Sequence, residues 1–354
     1  MTFPFLAFDS LALEMSRGER VALLAESAAE LARLSDLITG QLVPSPGAQR
    51  LAGTEIGALP PWRRAIGLVS PRFPLLHRLD LAANLALPLR ARSLDRATCA
   101  ARVNHLLALT RLDSAARRQP RALSAEETFR ALLARALAPE PSLLLLETPF
   151  DGLEPAARRR ADSLLGTLLP ALNITTLLLT TEREDALRFG GRIAILADGR
   201  VVQIADPATL FDRPAHPRVA VGFGGANALP GQVQDIVDDI ARVRLRDGAE
   251  AEGIASPGLM PDAPCLLCVR PDRIAPHFGP ALFTEDGEHL LAATLQETLH
   301  MGDHIRLRFR LADGSDLVVS RPPLQSQRPP RPGARAQLAW PAAQAVAFPM
   351  PREL

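Results

Sequence analysis

The chain has 354 residues and a formal net charge of +1, its 40 basic side chains nearly matching 39 acidic ones. That balance excludes a basic field of the size nucleic acid needs, and no apolar run reaches the ~18 residues of a spanning helix. A hydrophobic content of 47% supports a real core in about two domains, and 4% aromatics without tyrosine leave that core mostly to Ala, Leu and Val. No amino-terminal signal segment with a basic flank is visible.

In chain order, residues 21–24 read as a short interior strand, and residues 34–38 continue a helical pattern that ends at Gly40. Between them stand Ala25, Glu26, Ser27, Ala28, Ala29, Glu30, Leu31, Ala32 and Arg33. A phosphate loop at such a junction reads G-x-x-x-x-G-K-S/T: the glycines let backbone amides close around phosphate, the lysine reaches the outer phosphates and the hydroxyl holds magnesium. In that register Ala25 and Glu30 stand at the glycines, Leu31 at the lysine and Ala32 at the hydroxyl, with Glu26 and Glu30 facing a site built for anions. Arg33 lies two residues past the lysine slot and points elsewhere on the helix. An ordinary strand-to-helix turn is the bland reading of the same stretch.

Farther on, Val69-Ser70-Pro71 ends a strand pattern, and Phe73, Leu75, Leu76 and Leu79 follow it. Periodic apolar stretches at 82–89 and 103–109 precede Leu123-Ser124-Ala125-Glu126-Glu127. Ser124 and Glu127 have the spacing of a capping box ahead of a helix over 129–137. Residues 143–146 make a fully apolar strand tipped by Glu147 and Thr148; Asp151-Gly152-Leu153-Glu154 follows, and the arginines 158–160 read as a solvated helix face. A strand over 176–180 leads to Thr181. Glycine and proline density at 222–231 marks a boundary. Beyond it, strand-like alternation at 241–245, 265–269, 305–309, 317–320 and 336–340, with the turn Asp313-Gly314, predicts a small β-barrel-like unit. Cys265 and Cys268 lie in a strand pattern without a second ligand pair, and Cys99 is distant, so no metal constellation is predicted. Arg270 and Arg273 read as anion ligands or, preferably, as surface and turn-fixing residues. Residues 321–331 read as an exposed Pro/Arg loop.

Taken in order, Arg63-Arg64-Ala65-Ile66-Gly67-Leu68-Val69, Leu123-Ser124, Ala131-Leu132-Leu133-Ala134-Arg135-Ala136-Leu137-Ala138-Pro139-Glu140-Pro141 and residues 143–149 resemble the ATPase subunit of an ABC-type importer. Residues 227–231, Val269-Arg270-Pro271-Asp272 and His300-Met301-Gly302-Asp303 resemble the accessory, TOBE-like domain of polyamine, iron, sulfate and sugar importer ATPases, nearest the polyamine or iron version. The resemblance implies an α/β fold: a P-loop NTPase-like nucleotide-binding domain over 1–222 with a helical subdomain at about 72–138, then an OB-like accessory domain over 227–354. It also implies roles. Pro71 stands where the family keeps a glutamine, Glu147 and Thr148 where it keeps a magnesium-binding aspartate and a general-base glutamate, and Thr181 where it keeps a histidine. Asp151, Gly152, Leu153 and Glu154 replace the loop S-A-L-D. Phe5 and Phe8 are poor candidates for stacking on adenine. Phe73, Leu75, Leu76 and Leu79 fall where the family receives its permease, or are core residues of the subdomain.

Losing lysine, glutamine, base and histidine together predicts a degenerate chain that does not hydrolyse ATP by itself and holds no cofactor or metal at its own loop. Mg-ATP is then expected on an active ABC ATPase partner in a heterodimer. Ser124, beside Ala125, Glu126 and Glu127, either faces that ATP as a weakened half-site, the two glutamates reducing its attraction for an anion, or is only a helix cap. Further expected partners are transmembrane permease subunits and, indirectly, a substrate-binding protein, with the chain peripheral at the cytoplasmic face of the inner membrane and the solute a candidate polyamine. The rival readings are a divergent but active importer ATPase and a soluble regulatory adaptor.

Overall fold

The computed structural model describes residues 5–8, 11–42, 49–279, 290–323 and 330–351. The chain forms two compact units that meet between Pro207 and Ala208. The first runs β1 (Leu6–Phe8), β2 (Leu13–Met15), β3 (Arg20–Leu24), α1 (Ala28–Thr39), β4 (Gln49–Leu51), β5 (Thr54–Glu55) and β6 (Ile66–Val69). It continues through α2 (Leu81–Ala91), α3 (Arg96–Leu109), α4 (Ala125–Leu137), β7 (Leu143–Glu147), α5 (Pro155–Leu172), β8 (Thr175–Thr180), α6 (Arg183–Phe189), β9 (Arg192–Ala197) and β10 (Arg200–Ala205).

Six of these strands make one sheet in the order β10-β9-β3-β8-β7-β6, parallel except for the β9–β10 hairpin. A parallel sheet has both faces covered, so its strands read as continuous apolar runs rather than alternations. That is why β7 is Leu-Leu-Leu-Leu-Glu, buried throughout. β1, β2, β4 and β5 form a separate antiparallel sheet. The helices α2, α3 and α4 form the insertion between β6 and β7, an α/β P-loop NTPase-like arrangement with a helical subdomain. Chain order carries β3 to the far edge at β6 and back through β7, so the carboxyl ends of the parallel strands share one edge, where an open α/β sheet places its binding crevice.

Among its described residues the second unit contains α7 from Pro207 to Asp212, whose first residue precedes the division, one π-helical turn at Val219–Phe223, and ten strands. They are β11 (Asn227–Val237), β12 (Ile240–Leu245), β13 (Glu250–Ala255), β14 (Pro264–Val269), β15 (Ala275–His277), β16 (Leu291–His300), β17 (Ile305–Leu311), β18 (Asp316–Arg321), β19 (Arg335–Ala339) and β20 (Ala345–Pro349). Five close a small barrel, β11-β12-β13-β20-β14, and five form the sheet β15-β19-β16-β17-β18. Residues 208–222, assigned to the first domain from sequence, group with the second unit: Ala220 packs with Leu266, Cys268 and Phe348 of the barrel. Of the expected Pro/Arg loop, Arg321 ends β18 and residues 324–329 lie outside the described residues.

Candidate functional site

At the carboxyl edge of the large sheet, the segment after β3 is shorter than the sequence implies. Only Ala25, Glu26 and Ser27 separate strand from helix. Ala28 and Ala29 are helical because alanine is the strongest helix former and Ser27, at φ −133°, caps the helix, its Oγ accepting from the Glu30 amide at 3.2 Å. The Leu31 amide donates to the Ser27 carbonyl at 3.2 Å, and the Ala25 amide to the Thr180 carbonyl at 3.1 Å. The open loop expected over residues 25–33 is therefore mostly the first turns of α1. Leu31 is fully buried, packed among Val21, Leu23, Leu145 and Leu179. Arg33 is exposed on another face, as its spacing indicates.

The other strand ends bring their residues to the same edge. Pro71 follows β6 and is exposed; Glu147 ends β7 and is buried; Thr148 follows at φ 37°, and Thr181 follows β8, exposed. Sequence reasoning missed the residue that ties the end of β7 to α1, Arg72. Its Nε donates to Glu147 Oε1 at 2.6 Å and its Nη2 to Oε2 at 3.1 Å, a bidentate fork. Nη2 also donates to Asp36 Oδ1 at 2.7 Å and to the Ala32 carbonyl at 3.3 Å, and Nη1 to Asp36 Oδ2 at 3.3 Å. The hydrogen bonds to Asp36 and then Glu147 raise the Arg72 pKa, fixing its charge. One signal was readable: Ala32 and Asp36 are four apart, so α1 presents them on one face.

Ser124 caps α4 in a complete capping box, accepting from the Glu127 amide at 3.2 Å while Glu127 Oε2 accepts from the Ser124 amide at 2.8 Å. Glu126 and Glu127, expected to weaken the attraction of this helix end for an anion, are both paired with arginines. Glu126 is bonded by Arg160 and Arg130, which hold its carboxyl below the usual range. Glu127, lowered first by the Ser124 amide, also takes Arg118 at 2.7 Å. Arg160, and Arg158 through Asp185, are thus partnered rather than simply solvated. Residues 151–154 connect β7 to α5, with Glu154 as the helix N-cap position. Among the four docking candidates Leu75 is core at 2% exposure, Leu76 is 51% exposed, and Phe73 and Leu79 are half-buried. In the second unit Arg270 is held by Asp272 at 2.9 Å and by Asp212 at 3.4 Å, and Arg273 by Asp212 at 3.2 Å. No cluster of metal-ligating side chains occurs among the described residues, nor any helix long and apolar enough to cross a membrane.

The ABC transporter family profile matches residues 8–151, and the TOBE domain profile matches residues 267–348. A spermidine/putrescine import ATP-binding protein of Rubrobacter xylanophilus is 32% identical over 340 residues, 96% of this chain and 88% of its own. Another, of Pseudomonas aeruginosa, is 32% identical over 321 residues, 90% of this chain and 85% of its own. A sulfate/thiosulfate import ATP-binding protein of Chromobacterium violaceum is 33% identical over 352 residues, 98% and 92% respectively. These relatives overturn the expectation that the chain lacks intrinsic ATPase activity, since import ATP-binding proteins align with it almost end to end. The expectation rested on four side-chain identities, at positions 31, 71, 148 and 181, and such a reading does not register charged groups outside those positions, such as Arg72, that the fold brings to the same edge.

Proposed function

Since the chain belongs to the family of ABC-transporter ATP-binding proteins that carry a TOBE domain, we propose that it is an importer ATPase subunit with a divergent nucleotide face. The single observation carrying this is the near end-to-end likeness to import ATP-binding proteins. In this reading nucleotide meets the chain at the sheet edge, along Ala25, Glu26, Ser27, Glu30, Pro71, Glu147, Thr148 and Thr181. The remaining loop positions, Ala28, Ala29, Leu31, Ala32 and Arg33, build the helix behind it. Ser124 with Ala125, Glu126 and Glu127 faces ATP held by a second ATP-binding subunit. The neutralised glutamates favour that role, since the positive end of α4 is no longer opposed by free carboxylates. Asp151, Gly152, Leu153 and Glu154 lie at the subunit junction, and Leu76 with Phe73 and Leu79 contacts a membrane permease at its cytoplasmic face. The solute is a polyamine, the cargo for which several relatives are named.

The test is purification with the permease subunits, followed by photolabelling with an azido-ATP and phosphate-release measurement. The expected result is a membrane complex in which this chain is labelled and ATP is turned over. A chain that purifies only with itself, unlabelled and without turnover, sinks the reading.

A further inference from the structure

We infer that Arg72 is the resident cation of the sheet-edge site, occupying the place a divalent metal would take between α1 and β7, so that nucleotide recognised there binds without magnesium. The nucleotide clause rests on the proposed function; the cation clause stands on side-chain geometry alone.

Magnesium demands near-octahedral oxygen ligands at about 2.0–2.1 Å and dehydrates reluctantly. The residues at this edge do not fit it. Ala32 offers a methyl group where a hydroxyl is needed, and Pro71 has no side-chain oxygen. Glu147, 3% exposed, has both carboxylate oxygens engaged by one guanidinium, at 2.6 and 3.1 Å. A buried carboxylate needs a counter-charge and saturated hydrogen bonds, and Arg72 supplies both to Glu147. Asp36, from the opposite element, takes the remaining edge of the fork at 2.7 and 3.3 Å. A planar guanidinium with five donors can bridge two carboxylates in this way; an ammonium offers no such fork.

Arg72 is itself held in place. Its amide donates to Ser70 Oγ at 3.1 Å, fixing the turn after β6, and its guanidinium lies 5.3 Å from the centre of the Phe73 ring. The composition agrees: all 40 basic residues are arginine and the sequence contains no lysine, so a phosphate-loop lysine is not among this chain's resources.

Manganese titration of the full-length protein, read by electron paramagnetic resonance, tests the cation clause. Wild type is expected to bind Mn2+ at this edge only weakly. Arg72→Gln, which releases Asp36 and Glu147, should bind Mn2+ at least about tenfold more tightly, because a positive charge within bonding distance has gone. Arg72→Gln combined with Glu147→Gln should lose that gain. Arg72→Lys, which keeps the charge, should stay like wild type. If Arg72→Gln does not fold, wild type still decides: micromolar Mn2+ binding that Glu147→Gln abolishes would overturn the inference. A fluorescent ATP analogue then tests the nucleotide clause in wild type. Its affinity should differ by less than about twofold between EDTA and magnesium; a tenfold gain with magnesium overturns the clause. Failure to bind in either buffer overturns it together with the function it rests on, while the manganese titration separately decides the role of Arg72.

Discussion

A single buried position, Leu31, shows that one residue of this edge serves the core. Its side chain fills the gap between α1 and the strands β3, β7 and β8, fully excluded from solvent. A lysine there must either carry its charge into an apolar core or shed its proton, and burial of an unpaired charge costs several kcal/mol. We expect Leu31→Lys to lose about 3 kcal/mol of stability, measured by urea denaturation. A variant as stable as wild type would mean that the first turn of α1 opens easily and that the buried packing of Leu31 is dispensable. The neighbouring position behaves differently because Ala32 is half-buried and contributes its carbonyl to Arg72. Adjacent residues of one motif therefore face opposite demands, one from the core and one from the site.

At the scale of elements, α4 makes the clearest separation between folding and function. Ser124→Ala removes the acceptor of the Glu127 amide and should destabilise by about 1 kcal/mol. Ser124→Asp keeps a cap, so its thermal stability should match wild type, yet it places negative charge where a second subunit's phosphate is proposed to lie. Turnover by the assembled transporter is expected to fall strongly in Ser124→Asp; unchanged turnover would leave Ser124 a cap and nothing more. This box was legible in the sequence because both partners lie within four residues. The interior strands β3, β7 and β8 were legible for a similar reason, as apolar runs bounded by polar residues. What escaped was set by contacts distant in sequence. Arg72 meets Glu147 75 residues later, and no local pattern connects them. The early start of α1 also escaped, because the expected register was that of a glycine loop while Ala28 and Ala29 obey helix propensity. The barrel closes through parallel pairing of β13 with β20, Ile254 against Val346, which strand alternation alone does not specify.

For the whole molecule, composition makes one titration unusually easy to isolate. With no lysine and no tyrosine in the sequence, and with arginine protonated throughout, thiols are the side chains that ionise between pH 9 and 12. Burial pushes the Cys265 thiol up to about 11 from an ordinary 9.0, and burial followed by the neighbouring Cys265 pushes Cys268 up to about 12. Both sit on β14 inside the second unit. Above pH 9 the unfolded chain releases these protons while the folded chain keeps them, so the unfolded state binds fewer protons and stability falls with rising pH. The contribution is complete below about pH 9 and declines as pH approaches 11 to 12, on the order of 2 kcal/mol per thiol by pH 10.5. Trp340 reports on this unit, its indole N–H donating to the Glu252 carbonyl at 3.1 Å, whereas Trp62 is already 80% exposed and changes little on unfolding. Denaturation followed by tryptophan emission should therefore show the midpoint dropping from pH 8.5 to 10.5 in wild type. In a Cys265→Ala, Cys268→Ala variant the drop should flatten, whatever the variant's stability at neutral pH. A slope equal to wild type would show that the thiols ionise as readily in the folded unit as in the unfolded chain, and that the packing against the two faces of β14, Cys265 on one and Cys268 on the other, admits water.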